Sequence, residues 1–316
     1  MQRRQVGVAV AGFGWMGRAH THAYARVLHH FPDLPVAPRL VAVADEVPGR
    51  AAQAAEQYGF ATSTLDWRDL AADPAVQAVS IGAPNFLHRE IGVALAAAGK
   101  HVWVEKPVGL TAQDARAVAA AVRQAGVQSA VGFNYRHAPA VARARELVAS
   151  GAIGRVTNAR FRLFSDYAAH PDGALTWRYQ RERGGAGVLG DLASHGVDLV
   201  RHLLGDVESV VADTAIFVPS RAIPTAATAG HQRASGGAMG EVENEDYVCA
   251  LLRLASGARC SLEASRVAVG AQNDYGFAIS GTTGSVAWDF RRMGELAVSL
   301  SPGGVPDYQD QPVSTV

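Results

Sequence analysis

The residues that decide the fold of the first half of this chain are residues 6–17, where the sequence reads VGVAVAGFGWMG. The apolar run 6–11 leads directly into a glycine pattern, after which the sequence takes a helical spacing. A glycine-rich turn between a strand and a helix can hold the pyrophosphate of a dinucleotide against the helix N-terminus. The predicted dinucleotide-binding residues of this turn are Gly12, Phe13, Gly14, Trp15, Met16 and Gly17.

Outward from this turn, short apolar runs alternate with alanine-rich segments of helical length. The predicted strands are residues 6–11, 40–44, 78–81, 101–104 and 128–132, and the predicted helices are residues 16–29, 49–58, 88–98 and 112–125. This alternation is typical of βαβ units, which form a parallel sheet covered by helices on both faces. We therefore predict an α/β, doubly wound Rossmann domain over residues 1–132.

The pattern changes in the second half, and a chain of 316 residues is long enough for two cores. The predicted strands here are residues 155–165, 207–218, 246–254, 258–268, 275–280 and 285–290, with one helix from about 188 to 204. Two pairs of these strands flank glycine-containing turns and predict hairpins. We predict an α+β domain over residues 133–316, with helices on one face of an open, mainly antiparallel sheet. Residues 219–243 lack periodicity and predict a surface loop.

Composition and charge argue against several classes of protein. With 29 basic and 29 acidic residues, the chain has no charge excess that would favour a nucleic acid or a membrane surface. Cys249 and Cys260 fit no metal-ligand spacing, and we predict no metal site. Two free thiols in strands are favoured for them, although a disulfide is not excluded. The sequence shows no export signal or membrane span, so we expect a cytoplasmic protein.

The choice between the two nicotinamide dinucleotides depends on the end of the second predicted strand. Asp45 ends that strand, and a carboxylate at this position can accept hydrogen bonds from ribose hydroxyls and repel a 2′-phosphate. The next residue is Glu46 instead of the arginine or lysine that would favour NADP. We therefore expect NAD to be preferred over NADP, although Asp45 could also be a solvated residue at a strand end.

Three ionisable residues are candidates for catalysis. Lys106 follows the fifth predicted strand, and the carboxyl ends of such strands face the ligand crevice. Asp191 and His195 are four residues apart and would project from one face of a helix. An imidazole titrates near neutral pH and suits the removal of a hydroxyl proton. Considered alone, Asp191 and His195 could equally be an ion pair on a helix surface.

The joint pattern of motifs resembles the Gfo/Idh/MocA family of oxidoreductases over nearly the whole chain. The residues that carry the resemblance are 12–17, Ala83-Pro84-Asn85 with His88, 99–107 ending in Glu105-Lys106-Pro107, and Gly190-Asp191 with His195. The resemblance implies that Lys106 orients the reacting hydroxyl, that His195 is the acid/base, and that Asp191 positions substrate and histidine. It also implies a cis Lys106–Pro107 peptide.

The same resemblance assigns further residues to the cofactor and the substrate. Ala83, Pro84, Asn85 and His88 would line the cofactor, with Glu105 near the nicotinamide ribose. The implied substrate contacts are Asn134, Tyr135, Arg136, Trp177 and Arg178, for which strand-end, surface or core roles remain open. Family members continue past the position of Val316, so the second domain is expected to lack its usual C-terminal end.

The implied activity is NAD-dependent oxidation of a secondary hydroxyl. Residues 165–167, 243–246 and 263–268 are most similar to family members that act on anhydrosugars, and inositol dehydrogenases share the general pattern. We expect the substrate to be a sugar, an anhydrosugar or a cyclic polyol. The alternatives are an NAD-using glycosidase that passes through a transient ketone and a non-catalytic NAD-sensing regulator. We also expect a homodimer or homotetramer, formed through an exposed sheet face with alternate apolar side chains.

Overall fold

The computed structural model describes residues 3–225, 233–234, 237–301 and 314–315. The chain divides into two compact units. The first contains residues 1–132 and 182–185, and the second contains residues 133–181 and 186–316. A short helix, residues 181–184, lies where the chain passes from the second unit back to the first.

The first unit is built from six strands and five helices. The strands are β1 (Arg4–Ala11), β2 (Val36–Ala44), β3 (Thr62–Thr64), β4 (Ala78–Ile81), β5 (His101–Val104) and β6 (Ser129–Val131). The helices are α1 (Trp15–His30), α2 (Arg50–Tyr58), α3 (Arg68–Ala72), α4 (Asn85–Ala97) and α5 (Ala112–Ala125). All strands pair in parallel in the order β3-β2-β1-β4-β5-β6. The predicted Rossmann sheet is confirmed.

Burial on both faces explains why β1 reads as a continuous apolar run. Ala9 and Ala11 pack into a core with residues of α4 and α5, whereas Val10 packs into a second core with Phe13 and residues of α2. A strand between two helical layers needs apolar side chains at successive positions instead of alternate ones. Short β3 and α3 carry little of this pattern and were not predicted.

The described part of the second unit contains one large sheet, a small two-stranded sheet, helices and several short helical segments. Its strands are β7 (Val156–Phe164), β8 (Val207–Ala215), β9 (Ser220–Ala222), β10 (Met239–Glu241), β11 (Tyr247–Leu254), β12 (Arg259–Ser265), β13 (Asp274–Gly281), β14 (Gly284–Asp289), β15 (Leu296–Leu300) and β16 (Ser314–Thr315). Its helices are α6 (Pro139–Ala149), α7 (Arg181–Gly184), which runs into the first unit, and α8 (Ser194–Leu204). Short helical segments are Asn134–His137, Trp177–Tyr179 and Phe290–Arg292.

The large sheet is open and mainly antiparallel, as predicted. Its order is β16-β15-β14-β13-β7-β12-β11-β8, and among the described strands β7 and β12 form its parallel pair. The predicted hairpins are β11–β12 and β13–β14. Residues of α6 and α8, among them Val141, Leu147 and Leu199, pack with the sheet in one core. Both cysteines lie in strands as free thiols, Cys249 half-buried and Cys260 buried.

Two predictions for this unit need correction. Residues 219–243 are more than a surface loop, because β9 and β10 pair within them and Arg221 is fully buried. The Arg221 guanidinium lies 4.3 Å from the centre of the Tyr179 ring and donates to the carbonyls of Ala168 and His170. One long side chain makes all of these contacts. The sequence around it has no periodic pattern, and for that reason residues 219–243 were predicted to be a loop. The helix α6 was also not predicted.

The open face of the large sheet differs from the predicted apolar face. The open face is the one that α6 and α8 do not cover. On it, residues that lie side by side on β11, β12 and β7 form three rows. The rows are Cys249, Glu263 and Arg162; Leu251, Ser261 and Arg160; and Arg253, Arg259 and Asn158. Most of these side chains are charged or polar, although Leu251 is 64% exposed. Apart from Leu251, the large apolar residues of these three strands alternate as expected, but they point into the helix-covered core.

Candidate active site

The glycine turn after β1 is shaped by close contacts at two positions and open space at a third. Gly12 has φ +87°, and a Cβ there would lie 2.6 Å from the Ala83 nitrogen. A Cβ on Gly17 would lie 2.3 Å from the Gly12 oxygen. A Cβ on Gly14, at the start of α1, would meet nothing within 4 Å. The turn therefore fits a dinucleotide pyrophosphate at the helix N-terminus.

The three other residues of this turn differ in their environments. Phe13 is buried and packs against Tyr58 and Phe60, so its ring belongs to the core. Its N–H donates to the Asp45 carboxylate over 2.7 Å. Trp15 is 75% exposed, and Met16 is half-buried. Cofactor contacts by these residues stay predictions.

Asp45 is buried at the end of β2 and joins the glycine turn to α2. One carboxylate oxygen accepts from the Phe13 N–H, and the other accepts from the Val47 N–H over 2.9 Å. The Arg50 guanidinium lies 3.3 Å from both oxygens. Sequence reasoning considered only Glu46 and missed Arg50, although an arginine near this position can bind a 2′-phosphate.

His88 connects the two loops that follow β4 and β5. Its Nε2 lies 2.7 Å from the carbonyl oxygen of Ala83, and its Nδ1 lies 2.7 Å from that of Pro107. The Lys106–Pro107 peptide between β5 and α5 is cis, which confirms that prediction. The Asn85 side chain, at the start of α4, donates to the Gly184 carbonyl over 3.4 Å. One imidazole thus lies between the two loops predicted to line the cofactor, and in its neutral form it donates to one of the two carbonyls.

Burial lowers the pKa of His88, although the carbonyl of Pro107, the carbonyl of Ala83 and the charge of Glu105 oppose that effect. At pH values below about 6.5 the unfolded chain binds a proton at this histidine that the folded protein does not. The free energy of unfolding should therefore fall as the pH drops through this range. In urea titrations between pH 7 and 5, His88→Gln should flatten the slope by up to about 1.4 kcal/mol per pH unit. An unchanged slope would contradict this assignment.

In the second unit, Asp191 lies in a single π-helical turn, residues Leu189–Ala193, that runs directly into α8. The Tyr167 hydroxyl donates to Asp191 Oδ2 over 2.5 Å. The predicted helix from 188 to 204 is thus present, but its first turn is wider than an α-helical turn. Such π-turns are frequent at functional sites. Tyr167, which belonged to a family motif without an assigned role, contacts a predicted catalytic residue.

His195 lies in the first turn of α8 and is buried among aromatic rings. The centre of the Tyr135 ring is 4.5 Å from that of His195, and Phe133 lies edge-on at 5.8 Å. These rings lower the local dielectric constant around the imidazole, which would strengthen a hydrogen bond between it and a bound hydroxyl.

Three tyrosines near these residues remain phenols at neutral pH. Burial, followed by the neighbouring Tyr275 and the Asp191 charge, raises the pKa of Tyr135. Burial raises the pKa of Tyr275 to about 12, and burial with the Asp191 charge raises that of Tyr167. Each keeps its O–H proton and can donate a hydrogen bond.

The residues predicted to bind substrate occupy different environments. Asn134 is exposed, whereas Arg136 is half-buried and forms an ion pair with Asp198 of α8. The Arg178 guanidinium lies 4.5 Å from the centre of the Trp177 ring. Among the described side chains, the Arg178 Nε is one of three buried polar atoms with no hydrogen-bond partner. A buried donor of this kind suits a ligand oxygen.

A buried polar cluster holds the start of the π-turn. Glu245 accepts from the Leu189 N–H over 3.0 Å through its side chain and from the Val188 N–H over 2.9 Å through its carbonyl. Asp246 pairs with Arg266 at 2.7 Å, and neither side chain is more than 3% exposed. The motif at 243–246 therefore positions the segment that carries Asp191.

No group of three or more His, Cys, Asp or Glu side chains in the described part of the chain is arranged to hold a metal ion. Among those same residues, no helix combines the length and apolar character required to cross a membrane.

Comparison with known proteins places both halves of the chain in one family. Residues 6–133 match the model "Oxidoreductase family, NAD-binding Rossmann fold", and residues 141–287 match the model "GFO/IDH/MocA C-terminal domain". The chain belongs to the Gfo/Idh/MocA family of oxidoreductases, and its first unit is an NAD-binding Rossmann domain. The predicted fold class and family are confirmed.

Its relatives include dehydrogenases of sugars and polyols. The levoglucosan dehydrogenase of Pseudarthrobacter phenanthrenivorans is 39% identical over 300 residues, which are 94% of this chain and 77% of that protein. The inositol 2-dehydrogenase of Rhizobium meliloti is 28% identical over 269 residues, 84% of this chain and 72% of that protein. A solved levoglucosan dehydrogenase with NADH and levoglucosan is 37% identical with a TM-score of 0.90, covering 99% of this chain and 80% of that one.

Proposed function

We propose that this protein oxidises a secondary hydroxyl of a sugar, an anhydrosugar or a cyclic polyol with NAD as hydride acceptor. The observation that carries the proposal is the environment of two residues in the second unit, His195, which is buried among aromatic rings, and Asp191, which is half-buried and bound by Tyr167. Sugar and polyol dehydrogenases of the same family support the substrate class. The bound nicotinamide would supply the hydride acceptor, and the protein must then remove the hydroxyl proton.

Each candidate residue has a separate role in this proposal. The imidazole of His195 accepts the hydroxyl proton, and its burial keeps water from competing for that position. The Asp191 carboxylate, fixed by Tyr167, positions the alcohol and stabilises the imidazolium. The Lys106 ammonium, at the end of β5, orients the reacting oxygen. The proposed substrate contacts are Asn134, Tyr135, Trp177 and Arg178. Arg136 is proposed to position α8 through its ion pair with Asp198.

A screen of the purified protein for NADH absorbance tests the proposal directly. Anhydrosugars, pyranoses, glucosides and inositols should be compared, and we expect at least one free sugar or polyol to give stoichiometric NADH. A glycosidase that uses NAD only transiently would release an aglycone from a glucoside without net NADH. A regulator would bind NADH and turn over none of these compounds, and either result would overturn the proposal.

We further propose that NAD is preferred over NADP because Asp45 occupies the ribose position. Its carboxylate has acceptor capacity for ribose hydroxyls, and its charge would repel a 2′-phosphate. Arg50 is bound to this carboxylate and so is held away from the role of a phosphate ligand. The preference therefore depends on the pair and not on Asp45 alone.

Asp45→Ala should weaken NAD binding by roughly tenfold, the scale for losing hydrogen bonds to a charged group. The same change should strengthen NADP binding, because Arg50 is released. In the double variant Asp45→Ala/Arg50→Gln, the gain for NADP should disappear while the loss for NAD remains. Calorimetric titration of both cofactors measures these changes. Equal affinities in the unmutated protein would refute the role of Asp45.

We also propose that two or four copies assemble through the open face of the large sheet. That face carries exposed Leu251 together with charged side chains of both signs. A two-fold axis can place the basic side chains of one copy against the acidic side chains of the other. Sedimentation at micromolar concentration should give a dimer or tetramer, and Leu251→Glu should shift it towards monomer. Leu65→Glu, at a similarly exposed leucine of the first unit, is the control that should not. A monomeric unmutated protein would contradict the proposal.

A further inference from the structure

A chain of polar side chains crosses the core of the first unit, and its members other than Glu105 have no role assigned above. The Tyr24 hydroxyl lies 2.7 Å from Ser80 Oγ, which lies 2.9 Å from His20 Nδ1. His20 Nε2 lies 2.9 Å from Glu105 Oε1. Of these four side chains only Tyr24 reaches the solvent appreciably, since the others are at most 7% exposed.

With Glu105 ionised and His20 neutral, the hydrogen bonds of this chain have one consistent set of directions. The Glu105 carboxylate can only accept, so His20 Nε2 carries a proton. In the neutral imidazole Nδ1 is then an acceptor, so the Ser80 hydroxyl donates to it and the Tyr24 hydroxyl donates to Ser80. Burial raises the pKa of Tyr24, which keeps that proton in place. This single arrangement provides one proton for each contact.

At its other end the chain reaches the backbone of Lys106. Glu105 Oε2 accepts from the Lys106 N–H over 3.3 Å. The carboxylate is also confined from the side of β6, because a Cβ on Gly132 would lie 2.3 Å from Oε1. With Oε1 bound by His20 and Oε2 by Lys106, Glu105 has little freedom to turn.

We propose that His20 is a positioning residue for Lys106, which it holds in place through the Glu105 carboxylate. Ser80 and Tyr24 keep the imidazole in the tautomer whose Nε2 donates to Glu105. The inference rests on the proposed function, because it assumes that Lys106 orients the reacting hydroxyl. A lysine on a flexible stem needs a fixed backbone if its ammonium is to meet the substrate in one place.

Two polar replacements of His20 separate the positioning role from simple loss of packing. Glutamine places an amide N–H near the position of Nε2, whereas asparagine places one near Nδ1. His20→Asn should therefore lose the bond to Glu105, and His20→Gln should retain it. We expect His20→Asn to lower kcat by roughly tenfold with little change in the KM for NAD. His20→Gln should stay within about threefold of the unmutated protein on the same scale.

A second measurement does not depend on turnover. The chain contains two lysines, and Lys100 is buried with its amine bound to the carbonyls of Asp73 and Val76. Under native conditions, acetylation mapped by mass spectrometry should proceed severalfold faster at Lys106 in His20→Asn than in the unmutated protein. The rate at Lys100, the internal reference, should not change, and His20→Gln should behave as the unmutated protein.

The outcomes separate this proposal from that of the dehydrogenase function. Equal kcat values and equal Lys106 acetylation in the two His20 variants would overturn the positioning role. If His20→Asn does not fold, Ser80→Ala decides, because it removes the donor to Nδ1 and the acceptor for Tyr24 while leaving the imidazole in place. A Ser80→Ala protein with normal kcat and normal Lys106 acetylation would overturn the proposal. Absence of any NAD-linked turnover in the unmutated protein would instead refute the proposed function, while the acetylation test would still report on His20.

Discussion

Replacement of His195 by alanine is expected to lower kcat by about a hundredfold or more, the range for losing a general base. The structure gives the reason, because His195 is buried against Tyr135 and Phe133, where water cannot easily substitute as base. NAD affinity should barely change, since no cofactor contact is proposed for this residue. Steady-state kinetics at saturating NAD and a separate cofactor titration measure the two effects.

A matched control for this change is available on the same helix. His202 lies two turns further along α8 and is half-buried. His202→Ala makes the same chemical change without removing a proposed catalytic group, so its kcat should remain near that of the unmutated protein. A His195→Ala variant with near-normal kcat would leave the fold and the family unaffected and remove the named base.

The second large effect is expected for Lys106→Ala, which should reduce kcat by an amount comparable to that for His195→Ala, again about a hundredfold. Loss of the ammonium removes the group proposed to orient the alcohol. The fold-change in kcat should therefore be larger than the fold-change in the Kd for NAD. Lys100→Ala is the comparison, because it removes the other lysine of the chain. It should lower thermal stability by breaking two buried hydrogen bonds while leaving kcat nearly unchanged. Equal kcat losses in the two variants would argue against a specific role for Lys106.

The first unit was largely predictable because its signals are local. The run at β1, the glycine turn and the strand ends at Asp45 and Lys106 are adjacent in sequence to the elements that position them. Helix α3 and strand β3 were missed because short elements carry too few residues for a periodic pattern. Arg50 was missed for another reason, since its contact with Asp45 depends on how α2 begins after the strand.

The site in the second unit was only partly predictable. Spacing indicated that Asp191 and His195 share a helix, but the π-turn around Asp191 is held by Glu245, 56 residues away from Leu189. The contact from Tyr167 to Asp191 is also non-local, spanning 24 residues. A pattern of helical or strand periodicity cannot encode contacts between such distant segments, so these residues could be recognised only as parts of a family motif.

The placement of the two cysteines provides a chemical test of the proposed assembly. Cys260 is buried and its pKa is raised to about 12, so it should resist alkylation at neutral pH. Cys249 is half-buried and belongs to the open face of the sheet, in register with Glu263. Because Cys249 lies on the face proposed to be buried between copies, a thiol reagent should reach it more slowly in the assembled protein than in the Leu251→Glu variant.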